Sequence, residues 1–212
     1  MTHPYWPLFD LRLTTPDLTL RVATEADQLT LSDLMPDDVE PDPALPVYAF
    51  DDPRIRRGVA AHQSYWRDFG NWRPESWWLP FAVFRRGELI GLQRLEGEDF
   101  VLARTVDSFS MLIRDARGKG YGKQMRDAIL TLAFGPLEAV RAITSAWHDN
   151  HASLGVSRAL GYVPNGETLH RRDDGVDRML YLRLDRADWL ARTDRPPVEI
   201  AGFEPCRPLF GL

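Results

Sequence analysis

Apolar and polar residues alternate through Leu18-Thr19-Leu20-Arg21-Val22. A period of two predicts a strand with one buried face. Thr24, Glu25 and Asp27 then place a capping residue before acids that favour the positive end of a helix. That helix is expected to run to about Met35, where Pro36 stops it. Residues 36–52, rich in proline and aspartate, read as a long loop. Asp52-Pro53 opens a second helix, with proline at the first position, where its missing N–H is tolerated; its end is expected near Phe69. Residues 79–84 and 88–95 read as a hairpin turning at Arg86-Gly87, and residues 105–113 as another strand. Helical spacing returns at residues 122–134, with Met125, Ile129, Leu132 and Ala133 on one side. A strand at 142–147, a short helix at 152–160 closed by Gly161, a strand at 179–184, a short helix at 186–192 and an irregular tail at 205–212 complete the pattern. No internal repeat is visible.

The order is one strand, two helices, a β meander, then β-α-β-α-β. Late strand-helix-strand crossovers require a parallel strand pair, so the fold class is α/β (α+β) with a mixed central sheet. The 212 residues, 44% hydrophobic, suit a single domain over 1–212 with short extensions at each end. A formal net charge of -5 argues against a general nucleic-acid binder. The lone cysteine, Cys206, excludes an intrachain disulfide, and His148 and His151 lack the partners of a metal site, so no metal is expected. No apolar run reaches ~18 residues, so no membrane span is expected. The first residues do not read as a secretory signal, and a cytoplasmic protein is expected. The only lysines, Lys119 and Lys123, flank one glycine-rich stretch.

That stretch is Arg117-Gly118-Lys119-Gly120-Tyr121-Gly122, between a strand and a helix. Glycines permit a tight turn and close approach of a ligand, and the N–H groups of a following helix suit a phosphate. A P-loop would need Ser or Thr after Gly122-Lys123, where Gln124 stands; a dinucleotide fingerprint would need glycine where Lys123 stands. The stretch instead matches Arg/Gln-x-x-Gly-x-Gly/Ala, the acyl-CoA pyrophosphate motif of the GNAT superfamily of N-acyltransferases, which the sequence resembles over most of its length. Asn150-x-x-Ser153 followed by Leu160-Gly161-Tyr162 is similar to a segment of ribosomal-protein N-terminal acetyltransferases of that superfamily, and Thr15-Pro16-x-Leu-x-Leu-Arg21 to their opening strand. The ends, Trp6-Pro7-Leu8-Phe9-Asp10-Leu11-Arg12 and Cys206-Arg207-Pro208-Leu209-Phe210-Gly211, resemble an actinobacterial branch that includes a succinyltransferase.

The resemblance implies a GNAT fold, helices on both faces of the sheet, and acetyl-CoA or succinyl-CoA as co-substrate. It implies pyrophosphate contacts from Arg117, Gly118, Lys119, Gly120, Tyr121, Gly122 and Lys123. Backbone amides near Met111, Leu112 and Ile113 would meet the acyl carbonyl, and Asn150 the pantetheine arm. Asp107 would accept the amine proton or position the amine. Ser153 would hydrogen-bond the departing thiolate, with Tyr162 as the alternative. Each has a plainer reading beside it: Asp107 as an exposed strand aspartate, Asn150 and Ser153 as helix caps. Arg126 and Arg158 would reach the 3′-phosphate or be ordinary solvated helix arginines.

On the acceptor side, Glu25, Asp27, Asp33, Asp37, Asp38, Glu40, Asp42, Asp51 and Asp52 lie in an interval with no basic residue between Arg21 and Arg54. They form a rim for an amine or basic peptide, or a solvated loop. Trp66, Phe69, Trp72, Trp77 and Trp78 wall a pocket or pack in the core. A succinyl carboxylate would need a cation or donors, for which Gln93, Arg94 and His148 are candidates. The expected activity is transfer of an acetyl or succinyl group to a primary amine of a protein or small molecule by direct attack. The alternative is a catalytically silent CoA-binding regulatory protein. The apolar tail at Leu209 and Phe210 leaves a homo-oligomer open.

Overall fold

A computed structural model describes residues 3–39, 48–172 and 175–212. Its strands are β1 (Arg12–Thr14), β2 (Thr19–Val22), β3 (Trp77–Arg85), β4 (Glu88–Gly97), β5 (Thr105–Leu112), β6 (Arg141–Trp147), β7 (Val163–Arg172), β8 (Gly175–Asp185) and β9 (Glu199–Ala201). Its helices are α1 (Glu25–Leu34), α2 (Pro53–Gly70), α3 (Phe100–Ala103), α4 (Tyr121–Phe134), α5 (His151–Ala159) and α6 (Arg186–Ala191). The caps follow the sequence logic. The Thr24 hydroxyl accepts the Asp27 N–H while the Asp27 carboxylate accepts the Thr24 N–H, a closed capping box, and the Asp52 side chain caps α2.

One nine-stranded sheet runs β7-β8-β6-β5-β4-β3-β2-β1-β9. Every neighbouring pair is antiparallel except β5 with β6. Side-chain alternation assigns its faces. Gln93 pairs with Ser110, which bonds Arg126 of α4; its neighbour Arg94 turns to the opposite face and reaches Ser64 and Asp68 of α2. Helices therefore cover both faces, and the sheet is mixed, as expected. Buried residues of β2–β6, α4 and α5 form one continuous core. No helix among the described residues is long and apolar enough to cross a membrane.

The two extensions join this core. β1 pairs with both β2 and β9. The tail expected to be irregular forms a 3-10 helix over Glu204–Phe210. Phe210 is fully buried, with its ring centroid 4.9 Å from Trp77 and 5.4 Å from Trp72. The Trp72 indole N–H donates to the Leu209 carbonyl at 2.8 Å. Leu209 and Phe210 thus pack on their own domain. Phe210→Ala is expected to cost about 3–5 kcal/mol, because truncation leaves a cavity among the rings of Trp72, Trp77 and Phe203. Urea unfolding followed by tryptophan fluorescence measures this.

Candidate active site

β5 and β6 share register only at Thr105 with Arg141 and Val106 with Ala142. β5 continues to Leu112 and β6 to Trp147, so beyond this short contact the strands part. The split is closed at Val106 and open beside Leu112, roughly 20 Å away at about 3.3 Å per residue. On the β4 side, the Ile113 N–H donates to the Ile90 carbonyl at 3.0 Å. Antiparallel alternation then turns the N–H of Met111 toward β4 as well, and that of Leu112 toward the split. Of the three amides expected near an acyl carbonyl, Leu112 is the one so aimed.

The glycine turn stands at the open end. A 3-10 turn at Arg114–Ala116 leads to Gly118, with φ +72°, and Gly120, with φ +81°. A side chain at either would meet nothing within 4 Å, so glycine is demanded here by backbone conformation, and the space before the turn is open. No side chain caps α4; the Lys123 N–H turns back to the Gly120 carbonyl at 3.1 Å, which leaves the Tyr121 and Gly122 N–H groups at the positive end of the helix dipole without a side-chain acceptor. Gly122 brings α4 against α5, where an added Cβ would lie 3.4 Å from Val156. Tyr121 is buried, with the Arg85 guanidinium 5.2 Å from its ring centroid.

The cations of the turn differ in their engagement. Arg117 donates to the Leu112 carbonyl and, through both terminal nitrogens, to Asp38 at 2.6 and 2.9 Å. That guanidinium holds the Asp38 carboxyl below the usual carboxylate range. Arg114 pairs with Asp37, and Lys123 with Asp194 at 2.8 Å. Lys119 is exposed. At the start of α5, the Asn150 side chain accepts the Ser153 N–H at 3.0 Å, so Asn150 is a helix cap. Ser153 is half-buried in the first turn, and Arg158 is exposed farther along.

A second polar group occupies the closed end. Asp107 follows directly after Val106, and its carboxylate accepts the Ser108 N–H at 2.6 Å. Burial pushes the Asp107 carboxyl up to about 7, helped by the Glu96 carboxylate and opposed by the Ser108 N–H, Arg126 and Arg94. Arg126 is 3% exposed. Its guanidinium donates to Ser110 of β5 at 3.0 Å and to Thr144 of β6 at 3.4 Å, tying together the strands whose backbones have parted. The solvated role expected for Arg126 is therefore incorrect, and it is not placed to meet an exposed phosphate. The Tyr162 hydroxyl is buried close to Arg126 and Ser108, and burial pushes its pKa up.

The structure brings Asp107 and Tyr162 to the closed end, whereas Asn150 and Ser153 stand beyond the open end. Asp107 and Ser153, expected to act on the same reaction, are not brought side by side. The polar lining from Ser108, Ser110, Thr144 and Arg126 was not read from the sequence. Its visible signal is the alternating hydroxyls of Ser108-Phe109-Ser110, which fall on one face of a strand.

The acidic rim is largely committed. Asp27 is buried in a two-bond pair with Arg21, Asp33 pairs with Arg54, Asp37 and Asp38 hold Arg114 and Arg117, and Asp52 caps α2. Glu25 and Asp51 are exposed, and Glu40 and Asp42 lie outside the described residues. Among the aromatics, Trp72 and Trp77 stack in the core and Trp66 is 57% exposed. The side chains considered for a succinyl carboxylate are engaged elsewhere. Gln93 bonds the Phe109 carbonyl and Ser110, Arg94 bonds Glu96, and His148 lies 3.1 Å from Asp177. No group of metal-binding side chains occurs among the described residues.

Residues 17–163 match the family model described as an acetyltransferase (GNAT) domain. Among solved structures, RimJ of Mycobacterium smegmatis in complex with CoA-disulfide superposes with a TM-score of 0.67 at 18% identity, over 90% of this chain and 97% of that one. The spermidine/spermine N-acetyltransferase SpeG of Vibrio cholerae, in mutant form, gives a TM-score of 0.63 at 16% identity, over 84% and 99% of the two chains.

Proposed function

This chain belongs to the GNAT acetyltransferase family, and from that premise we propose that it transfers an acetyl group from acetyl-CoA to a primary amine on a protein or small molecule. The observation that carries the reading is the split between β5 and β6, with an open glycine turn at one end and a buried carboxyl titrating near neutrality at the other.

In this reading the N–H groups from Gly118 to Gly122 receive the pyrophosphate at the α4 N-terminus, with Lys119 and Lys123 adding charge. Arg117 joins them by exchanging its Asp38 carboxylate for phosphate oxygens. The pantetheine arm supplies the missing neighbour along the split. The Leu112 N–H meets that arm, and the Ser110 N–H, turned to the split by the same alternation and nearer Asp107, donates to the thioester carbonyl and stabilises the negative charge that grows there. Asp107, three residues from Ser110 along β5, takes a proton from the amine through bridging water as the amine nitrogen bonds to the carbonyl carbon, and the C–S bond breaks with its electron pair on sulfur. Ser153 near the open end, or Tyr162 at the closed end, hydrogen-bonds that sulfur. Acetyl needs no counter-charge, which fits the prior engagement of Gln93, Arg94 and His148.

Thiol release from acetyl-CoA and succinyl-CoA, measured across primary amines, polyamines and peptide N-termini, tests the proposal. Acetyl transfer to at least one acceptor class is expected, at a rate well above succinyl transfer. Tight binding of both esters with no transfer would instead establish a silent CoA-binding protein.

A further inference from the structure

On the face of the sheet covered by α2, three carboxyl groups surround one guanidinium. Register sets Glu96 of β4 directly across from Asp107 of β5, so their side chains share that face. Arg94, two residues earlier on β4, bonds the Glu96 carboxylate at 2.7 Å. It also lies 3.6 Å from the Asp68 carboxylate of α2 and donates to Ser64 at 3.1 Å. Below it, the Phe109 ring centroid is 5.6 Å away. Asp68 is 2% exposed, and one of its carboxylate oxygens has no hydrogen-bond partner.

We propose that Asp68, Arg94 and Glu96 are positioning residues that join Asp107 in one proton-sharing cluster, set so that Asp107 is a competent base for the amine at neutral pH. Fully ionised, the cluster carries three negative charges against one positive charge in a largely desolvated place. Like charges under those conditions do not all ionise together, so the cluster retains a proton near neutrality. Burial pushes Asp68, like Asp107, up to about 7, and Glu96 raises both. Among the described residues, the other charged or titratable groups facing the cluster are Arg67 beside Asp68, Arg126 approaching Asp107 from the opposite face, and the Tyr162 hydroxyl near Asp107. A base with an ordinary aspartate pKa would be too weak to take the proton of the attacking amine efficiently, and its neighbours correct this.

The inference rests on Asp107 serving as base in the proposed transfer, so its test is chosen to stand apart from activity. Carboxyl-carbon NMR titration of the aspartates in the folded, full-length protein reads each midpoint directly. In Glu96→Gln, both the Asp68 and the Asp107 midpoints are expected to fall, each by about one pH unit, because one neighbouring negative charge leaves both. The acid limb of the pH–turnover profile should move down with Asp107, giving a rate about fivefold higher than the parent one pH unit below the parental midpoint. Asp68→Asn, which keeps size and shape, should lower the Asp107 midpoint by a smaller amount through Arg94. An Asp107 midpoint that stays put in Glu96→Gln, or falls without Asp68 moving, overturns the shared cluster. Midpoints that move as expected in a protein that acylates no amine sustain the cluster and refute the transfer reading instead.

Discussion

Gly120→Asp is expected to weaken CoA binding by more than a hundredfold. A carboxylate about 4 Å from a phosphate is opposed by about 4 kcal/mol at an effective dielectric of 20, and screening still leaves more than the ~2.7 kcal/mol that a hundredfold represents. The backbone contributes separately. Gly120 has φ +81°, and an aspartate there is strained by about 1 kcal/mol, which lowers folded stability rather than ligand affinity. Gly120→Ala separates the two effects. Its methyl group would meet nothing within 4 Å, so affinity should stay within a few-fold while stability falls slightly. Calorimetry with CoA and thermal unfolding of both variants read the outcome. Undiminished affinity in Gly120→Asp would remove the turn from the binding site.

Asp107→Asn is expected to lower turnover by about 10²–10⁴-fold with CoA affinity unchanged, the range associated with losing a positioned base. The parent should gain activity as pH rises through about 7, where Asp107 loses its proton. The variant should lose that acid limb. Stability moves in the opposite direction. The folded carboxyl is raised from 3.8 to about 7, so the folded state holds the proton more tightly than the unfolded chain. Its contribution is complete below about pH 4 and is lost as pH climbs through 7, by up to about 4 kcal/mol at 1.36 kcal/mol per unit. At pH 8 the asparagine variant should therefore be at least as stable as the parent and almost inactive. Urea titrations at pH 5 and 8, beside steady-state kinetics, test both signs. Equal turnover at saturating amine would demote Asp107 to a structural residue.

Local chemistry was the legible part of this chain. Thr24, Asp52 and Asn150 act as caps within a few residues of themselves, and each stands where its sequence neighbours place it. The glycine turn was legible for the same reason, since positive φ at Gly118 and Gly120 is a property of single residues. What escaped depends on partners distant in sequence. The Glu96–Asp107 pairing is a matter of strand register, and the Arg94–Asp68 approach a matter of how α2 lies on the sheet. Arg126 precedes no visible signal, because a buried arginine and a solvated one look alike beside Met125 and Ile129. β7 was missed for want of an apolar face: apart from half-buried Arg172 its residues are exposed, and Pro164 and Gly166 interrupt it. β1 and β9 are each only three residues long and become strands by pairing with each other.

The parted strands also bear on how the molecule opens and closes in time. The β1–β5 side and the β6–β8 side share one seam, held by the register at Thr105 and Val106 and by the reach of Arg126. Backbone amides along such a seam lack the ladder that slows their exchange with solvent, so Ser110 and Leu112 belong among the fast-exchanging amides of an otherwise slow sheet. A ligand lying in the seam would replace the absent rungs, and exchange at Ser110 and Leu112 is then expected to slow.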